Sequence, residues 1–171
     1  MLKGYLPLIL IGVLMAAFYA STMSVLVFNL EPPLLPSSNV SNITPTVNIL
    51  LYMGEMSNGK FGFGNTPINL TSPGPTLRLS TNDVVKITIT NAGKLPHAFA
   101  ITNIPSTGAS VLFNAAIGSS TNPLQPGQQG SVIFRPNNAG FSYCYISPVS
   151  GDAEAGMYGT VTITTSSFSG S

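Results

Sequence analysis

Charge is the scarcest property of this sequence. Of 171 residues only six are Lys or Arg and five are Asp or Glu, 6% in all, and the net charge is +1. No basic stripe exists to track a phosphate backbone, which excludes a nucleic-acid-binding surface. Tryptophan is absent, and there is one cysteine, Cys144, and one histidine, His97. A single Cys excludes an intrachain disulfide and any centre built from two thiolates of this chain. A single His excludes a bis-imidazole haem pocket. No Ser or Cys with a paired carboxylate lies beside it in the sequence, so no pattern signals a hydrolase's set of nucleophile, base and orienting group. Asp152 and Glu154 lie two apart in one loop, but no second signal makes them an acid–base pair. No Walker-type or dinucleotide glycine fingerprint is present, and neither is an internal repeat, a heptad or a run of charge.

The absence of charge is most complete near the N-terminus. Between Lys3 and Glu31 there is none, and the apolar run 5–30 exceeds the ~20 residues that a bilayer-spanning helix needs. A cleaved leader fits less well. Phe18 is bulky where a cut after Ala20 wants a small residue, and the run continues past an ordinary leader core. The sequence therefore predicts a single transmembrane helix within residues 1–31, in a cell membrane. Lys3 sets the N-terminus in the cytoplasm, and a Pro/Ser-rich linker, 32–45, leads to a domain over 46–171 outside the lipid bilayer. Asn39, Asn42 and Asn69 each head an Asn-X-Ser/Thr triplet that fits glycosylation, which agrees with an exterior domain.

From Thr46 onward, short β runs alternate with turn residues. The expected strands are 46–53, 60–64, 76–80, 84–90, 97–102, 131–135, 141–146 and 158–165, with 104–130 the least regular part. The stretch Val85-Lys-Ile-Thr-Ile-Thr90 alternates apolar and polar, the mark of a half-buried strand. Eight or so such strands predict an all-β sandwich or barrel of ~120 residues.

His97, Cys144 and Met157 occur in that order, at a strand start, near a strand end and where the next strand begins. Imidazole, thiolate and thioether are the soft ligands that select copper, and electron-transfer copper sites use two His, one Cys and a weak axial Met on a rigid frame. Each residue also has a plain reading, as a hydrogen-bonded His, a small buried thiol and a core Met. A structural or surface-layer sandwich would need only those plain readings, and the Cys144-to-Met157 loop distinguishes the two. The second His is missing.

The run 75–91, Leu95-Pro-His-Ala-Phe-Ala-Ile101, Tyr143-Cys144 and Ala155-Gly-Met-Tyr-Gly159 resemble a cupredoxin over about residues 46–166. That resemblance implies a Greek-key β-sandwich. Two branches are closest: sulfocyanin, the membrane-anchored blue copper protein of acidophilic archaea, and subunit II of haem–copper terminal oxidases. Where sulfocyanins carry a Gly-His pair five residues before the Met, this chain has Gly151-Asp152, and carboxylate oxygen is a harder ligand than imidazole. One Cys cannot build the dinuclear copper centre of cytochrome-c-oxidising subunits II, and the absent Trp removes their aromatic entry patch. Quinol-oxidising members lack that centre. The resemblance therefore implies the subunit II-like component of an archaeal quinol oxidase. Its mononuclear copper site, made of His97, Cys144, Met157 and Asp152, is either occupied or degenerate. Haem and the oxygen-reducing copper would belong to the partner catalytic subunit, with quinol near the interface and no catalytic residue in this chain. The alternative is a sulfocyanin-type carrier holding copper on the same four residues.

Overall fold

The computed structural model describes residues 43–165, so the expected anchor and all but the last three linker residues lie outside the described part. Among the described residues no helix is long and apolar enough to cross a membrane. The apolar run 5–30 and the triplets at Asn39 and Asn42 begin outside them.

The described residues form nine strands: β1 Val47–Glu55, β2 Phe61–Gly64, β3 Gly74–Ser80, β4 Val85–Asn91, β5 Phe99–Thr102, β6 Ala116–Ile117, β7 Gln129–Phe134, β8 Gly140–Ile146 and β9 Tyr158–Thr164. They make two sheets, ordered β2-β1-β4-β7 and β3-β9-β8-β5-β6. Neighbours β1 and β4 run parallel, as do β3 and β9, while the other pairs are antiparallel. Long crossovers between the sheets are thus part of the topology. The all-β sandwich expected from the turn spacing is the observed fold. The irregular stretch 104–130 contributes β6 and the first two residues of β7.

The alternation in β4 is realised residue by residue, with Val85, Ile87, Ile89 and Asn91 buried and the residues between them half-buried. The inward faces of both sheets meet in one core containing Leu51, Met53, Phe63, Ile87, Ile89, Phe99, Ile101, Tyr145, Met157 and Ile163. Burying each large apolar side chain fully contributes about 1.5–3 kcal/mol. Phe63 and Tyr145 pack edge to face at 4.9 Å. The Tyr145 hydroxyl donates to the Pro75 carbonyl at 2.6 Å, so its polar end is satisfied where it enters the core. Gly159 in β9 lies under that ring, and a Cβ there would run into the ring carbons and hydroxyl of Tyr145.

Strand β5 starts two residues later than the sequence suggests. His97 stands before it in an isolated bridge to Leu124. The ladder breaks at Ala98, whose N–H is taken by Ser147 Oγ.

Candidate metal centre

The site is built at one end of the sandwich, where three segments converge. The first is the approach to β5. His97 exchanges backbone hydrogen bonds with Leu124, N–H to carbonyl at 3.1 Å and carbonyl from N–H at 2.8 Å. The buried Asn91 side chain donates to the Leu95 and Leu124 carbonyls at 2.8 and 2.9 Å, and its Oδ1 accepts from the Gly93 N–H. Glu55 at the end of β1 accepts from the backbone N–H groups of Lys94 and Leu95 at 2.8 and 2.7 Å. Partial burial opposes ionisation of Glu55, but those N–H groups, its own N–H and nearby His97 outweigh it and hold the carboxyl below its ordinary range.

The second segment is the end of β8. Register pairs Ile146 with Tyr158, and the pairing continues one residue further, the Ser147 N–H donating to the Met157 carbonyl at 3.1 Å. Residues opposite one another in an antiparallel pair point to the same face. Ser147 and Met157 are both completely buried, and Met157 belongs to the main core together with Tyr145.

The third segment is the loop from Pro148 to Gly156. Asp152 N–H donates to Val149, Ala155 N–H to Gly151, and Met157 N–H to Asp152, at 2.9–3.1 Å. Gly151 and Gly156, with φ of 87° and 103°, take left-handed conformations that a side chain would resist. Ser72 Oγ donates to the Gly156 carbonyl at 2.8 Å and ties the loop to the sandwich.

These segments deliver a compact cluster. Asp152 Oδ2 lies 2.8 Å from His97 Nδ1 and accepts from Ser147 Oγ at 2.5 Å. Ser147 Oγ accepts in turn from the Ala98 N–H at 3.2 Å and the Val149 N–H at 3.4 Å. With Asp152 ionised, Nδ1 carries the imidazole proton and donates it. His97 is wholly buried, with the edge of Phe61 at 5.2 Å. Its Nε2 makes no hydrogen bond and sits 3.4 Å from Glu55 Oε1.

Of the four residues nominated from sequence, the structure brings His97 and Asp152 into contact. Met157 is tied to this corner by its backbone. Cys144 stands apart. Successive strand residues alternate faces, so Cys144 and Ile146 point away from Tyr145 and Ser147, into a second small cluster with Ala153. Its thiol lies 3.3 Å from Thr102 Oγ1, across the β5–β8 register. Burial pushes the thiol pKa up, against a smaller opposing effect of the Thr102 hydroxyl, so Cys144 stays a neutral thiol. Sequence reasoning missed Ser147, Asn91 and Glu55. For Ser147 a signal existed: counting inward positions from Tyr145 gives residue 147. Two buried faces on β8 concealed it.

Copper does not fit this arrangement. The side chains that meet offer one nitrogen and two hard oxygens, already joined directly to one another, and no thiolate is among them. Among the described residues no group of three or more His, Cys, Asp or Glu side chains is arranged to hold a metal ion.

The family model that matches the sequence describes multicopper oxidases and covers residues 64–167. No curated protein matches the sequence significantly. Solved structures of the same fold include a multicopper oxidase from Pseudomonas thermotolerans, 17% identical with a TM-score of 0.54, over 74% of this chain and 32% of that one. Rusticyanin from Thiobacillus ferrooxidans is 19% identical with a TM-score of 0.52, over 71% of this chain and 79% of its own. A blue copper oxidase from Nitrosomonas europaea is 18% identical with a TM-score of 0.53, over 71% and 39%. The chain thus spans about a third of the Pseudomonas oxidase and most of rusticyanin.

Proposed function

The chain belongs to the multicopper oxidase family; from its resemblance to subunit II domains, its single Cys and its missing second His, we propose that it is a copper-free, subunit II-like component of a membrane haem–copper quinol oxidase. Its helix would lie in the bilayer with the N-terminus inside, and its cupredoxin-like domain would cap the outer face of the catalytic subunit. Quinol oxidation and oxygen reduction are then activities of the complex. Haem and copper reside in the partner, and this chain contributes assembly, shielding and one wall near the quinol.

The observation that carries this reading is Asp152 bridging His97 Nδ1 and Ser147 Oγ. The two oxidases that share the fold are named for copper, yet the side chains that meet here satisfy one another. An electron carrier needs a metal, whereas a capping subunit needs only a rigid domain. The uncharged run 5–30, long enough to span a bilayer, and the absence of Trp support the same reading, since a quinol-oxidising complex takes its electrons within the membrane and needs no aromatic entry patch.

The test is gentle detergent purification through a tag on this chain, with an optical spectrum, metal analysis and oxygen uptake. Haem bands, large hydrophobic partners and quinol-dependent uptake are the expected result. A lone chain carrying one copper and an intense thiolate band would instead establish the sulfocyanin-type carrier, and the oxidase reading would be abandoned.

A further inference from the structure

We infer that Ser147 and Asp152 occupy two of the four ligand positions of a mononuclear copper site, and that their hydrogen bonds to each other and to His97 take the place of the ion. Cys144, the only thiol, has no part in it. The inference concerns the domain alone and holds whether or not the partner is an oxidase.

Four positions define this corner: His97 just before β5, Ser147 just after β8, Asp152 in the loop and Met157 just before β9. Electron-transfer copper takes two His, one Cys and a distant Met. His97 and Met157 are already of the right types. Ser147 differs from Cys by one atom, Oγ for Sγ, and is the completely buried residue that faces the same side as Met157. Asp152 holds the remaining position. Its Oδ2 is the atom that both His97 Nδ1 and Ser147 Oγ approach, at 2.8 and 2.5 Å, so a carboxylate oxygen sits where those two groups converge on an ion in a metal site. The network is also self-sufficient. Ser147 Oγ donates to Asp152 and accepts from Ala98 and Val149, which leaves no lone pair directed at an empty centre. One orphan remains, Nε2 of His97, on the side of the ring that faces Glu55, away from the cluster.

The experiment titrates Cu(II) into the full chain in detergent, as wild type, C144A, S147C and S147C/D152H, and reads bound metal and the visible spectrum. Wild type and C144A stay colourless with no stoichiometric copper. S147C/D152H binds one copper per chain and gains a thiolate-to-copper charge-transfer band, and adding C144A leaves that band unchanged. A wild type that binds one copper with a band lost in C144A overturns the inference, and so does a folded S147C/D152H that stays colourless. S147C decides the matter where the double variant fails to fold. Its Sγ beside His97 and Met157 gives a weaker band of the same kind, and a folded, colourless S147C counts against the assignment.

Discussion

Asp152 and His97, 55 residues apart in sequence, meet at 2.8 Å in the interior of the sandwich, and neither side chain is appreciably exposed to water. The pair is shielded by Phe61 on one side and completed by Ser147 on the other. A carboxylate in such a place is tolerable because both its neighbours donate to it. The pair ties the loop 148–156 to the start of β5 by side chains alone.

Removing the carboxylate therefore costs the whole arrangement. Asp152→Ala leaves a buried imidazole N–H and a buried hydroxyl without an acceptor and is expected to destabilise the chain by about 3 kcal/mol. Asp152→Asn, which retains one acceptor oxygen, costs about half as much. Chemical denaturation of the three chains measures both, and equal stability of wild type and the Ala variant would show that the network contributes nothing.

Cys144 behaves as a packed hydrophobe. Its buried, neutral thiol is expected to react with a disulfide reagent at pH 7 only at the rate of unfolding, and to react at once in denaturant. Cys144→Ala costs about 1 kcal/mol, the value of a small lost core volume. Fast labelling of the native chain would mean that the thiol is reachable and activated.

Tyr145 tests the core beneath the site. Tyr145→Phe removes the donor to the Pro75 carbonyl and is expected to cost about 1–2 kcal/mol. Burial raises the Tyr145 pKa well above its ordinary value. A group whose folded pKa is raised contributes stability below its unfolded pKa, near ~10, and that contribution is lost as pH rises above it. Wild type should thus lose stability faster than the Phe variant above that pH. Parallel stability curves for the two chains up to strongly alkaline pH would refute this. Gly159→Ala, which pushes a methyl into the same ring, is expected to cost about 2 kcal/mol or more.

Asn91 positions the histidine from beneath. Asn91→Ala deletes the bonds to Leu95, Leu124 and Gly93, and about 1–2 kcal/mol should go with them, since Asn91 is wholly buried while the Leu124 carbonyl keeps its bond from the His97 N–H. Amide hydrogen exchange would locate the effect. Protection should fall at Gly93, His97 and Leu124 while β9 is spared until global unfolding.

Much of this protein is legible in the order of its residues. Period-two alternation from Val85 to Thr90, turn residues every few positions and β-branched runs specify a sandwich, because those patterns suit only a half-buried pleated strand. His97 and Met157 were visible as chemistry because imidazole and thioether are soft copper ligands, and Asp152 because it stands where a second imidazole was wanted. The sequence could not say which way Cys144 points. On β8 both faces are apolar, Tyr143 and Tyr145 on one, Cys144 and Ile146 on the other, so the period-two signal that assigns a face is absent and the more reactive residue drew attention. Ser147 had no chemical signal of its own. Its role exists only because pairing with Met157 turns it inward and the loop returns Asp152 to meet it. Asn91 and Glu55 became part of the site in the same way, through contacts across β1, β4 and the approach to β5. Local patterns thus determined the kind of layers this chain forms. Tertiary register, the relation of one strand to another, decided which side chains meet between them and left an aspartate where a metal would lie.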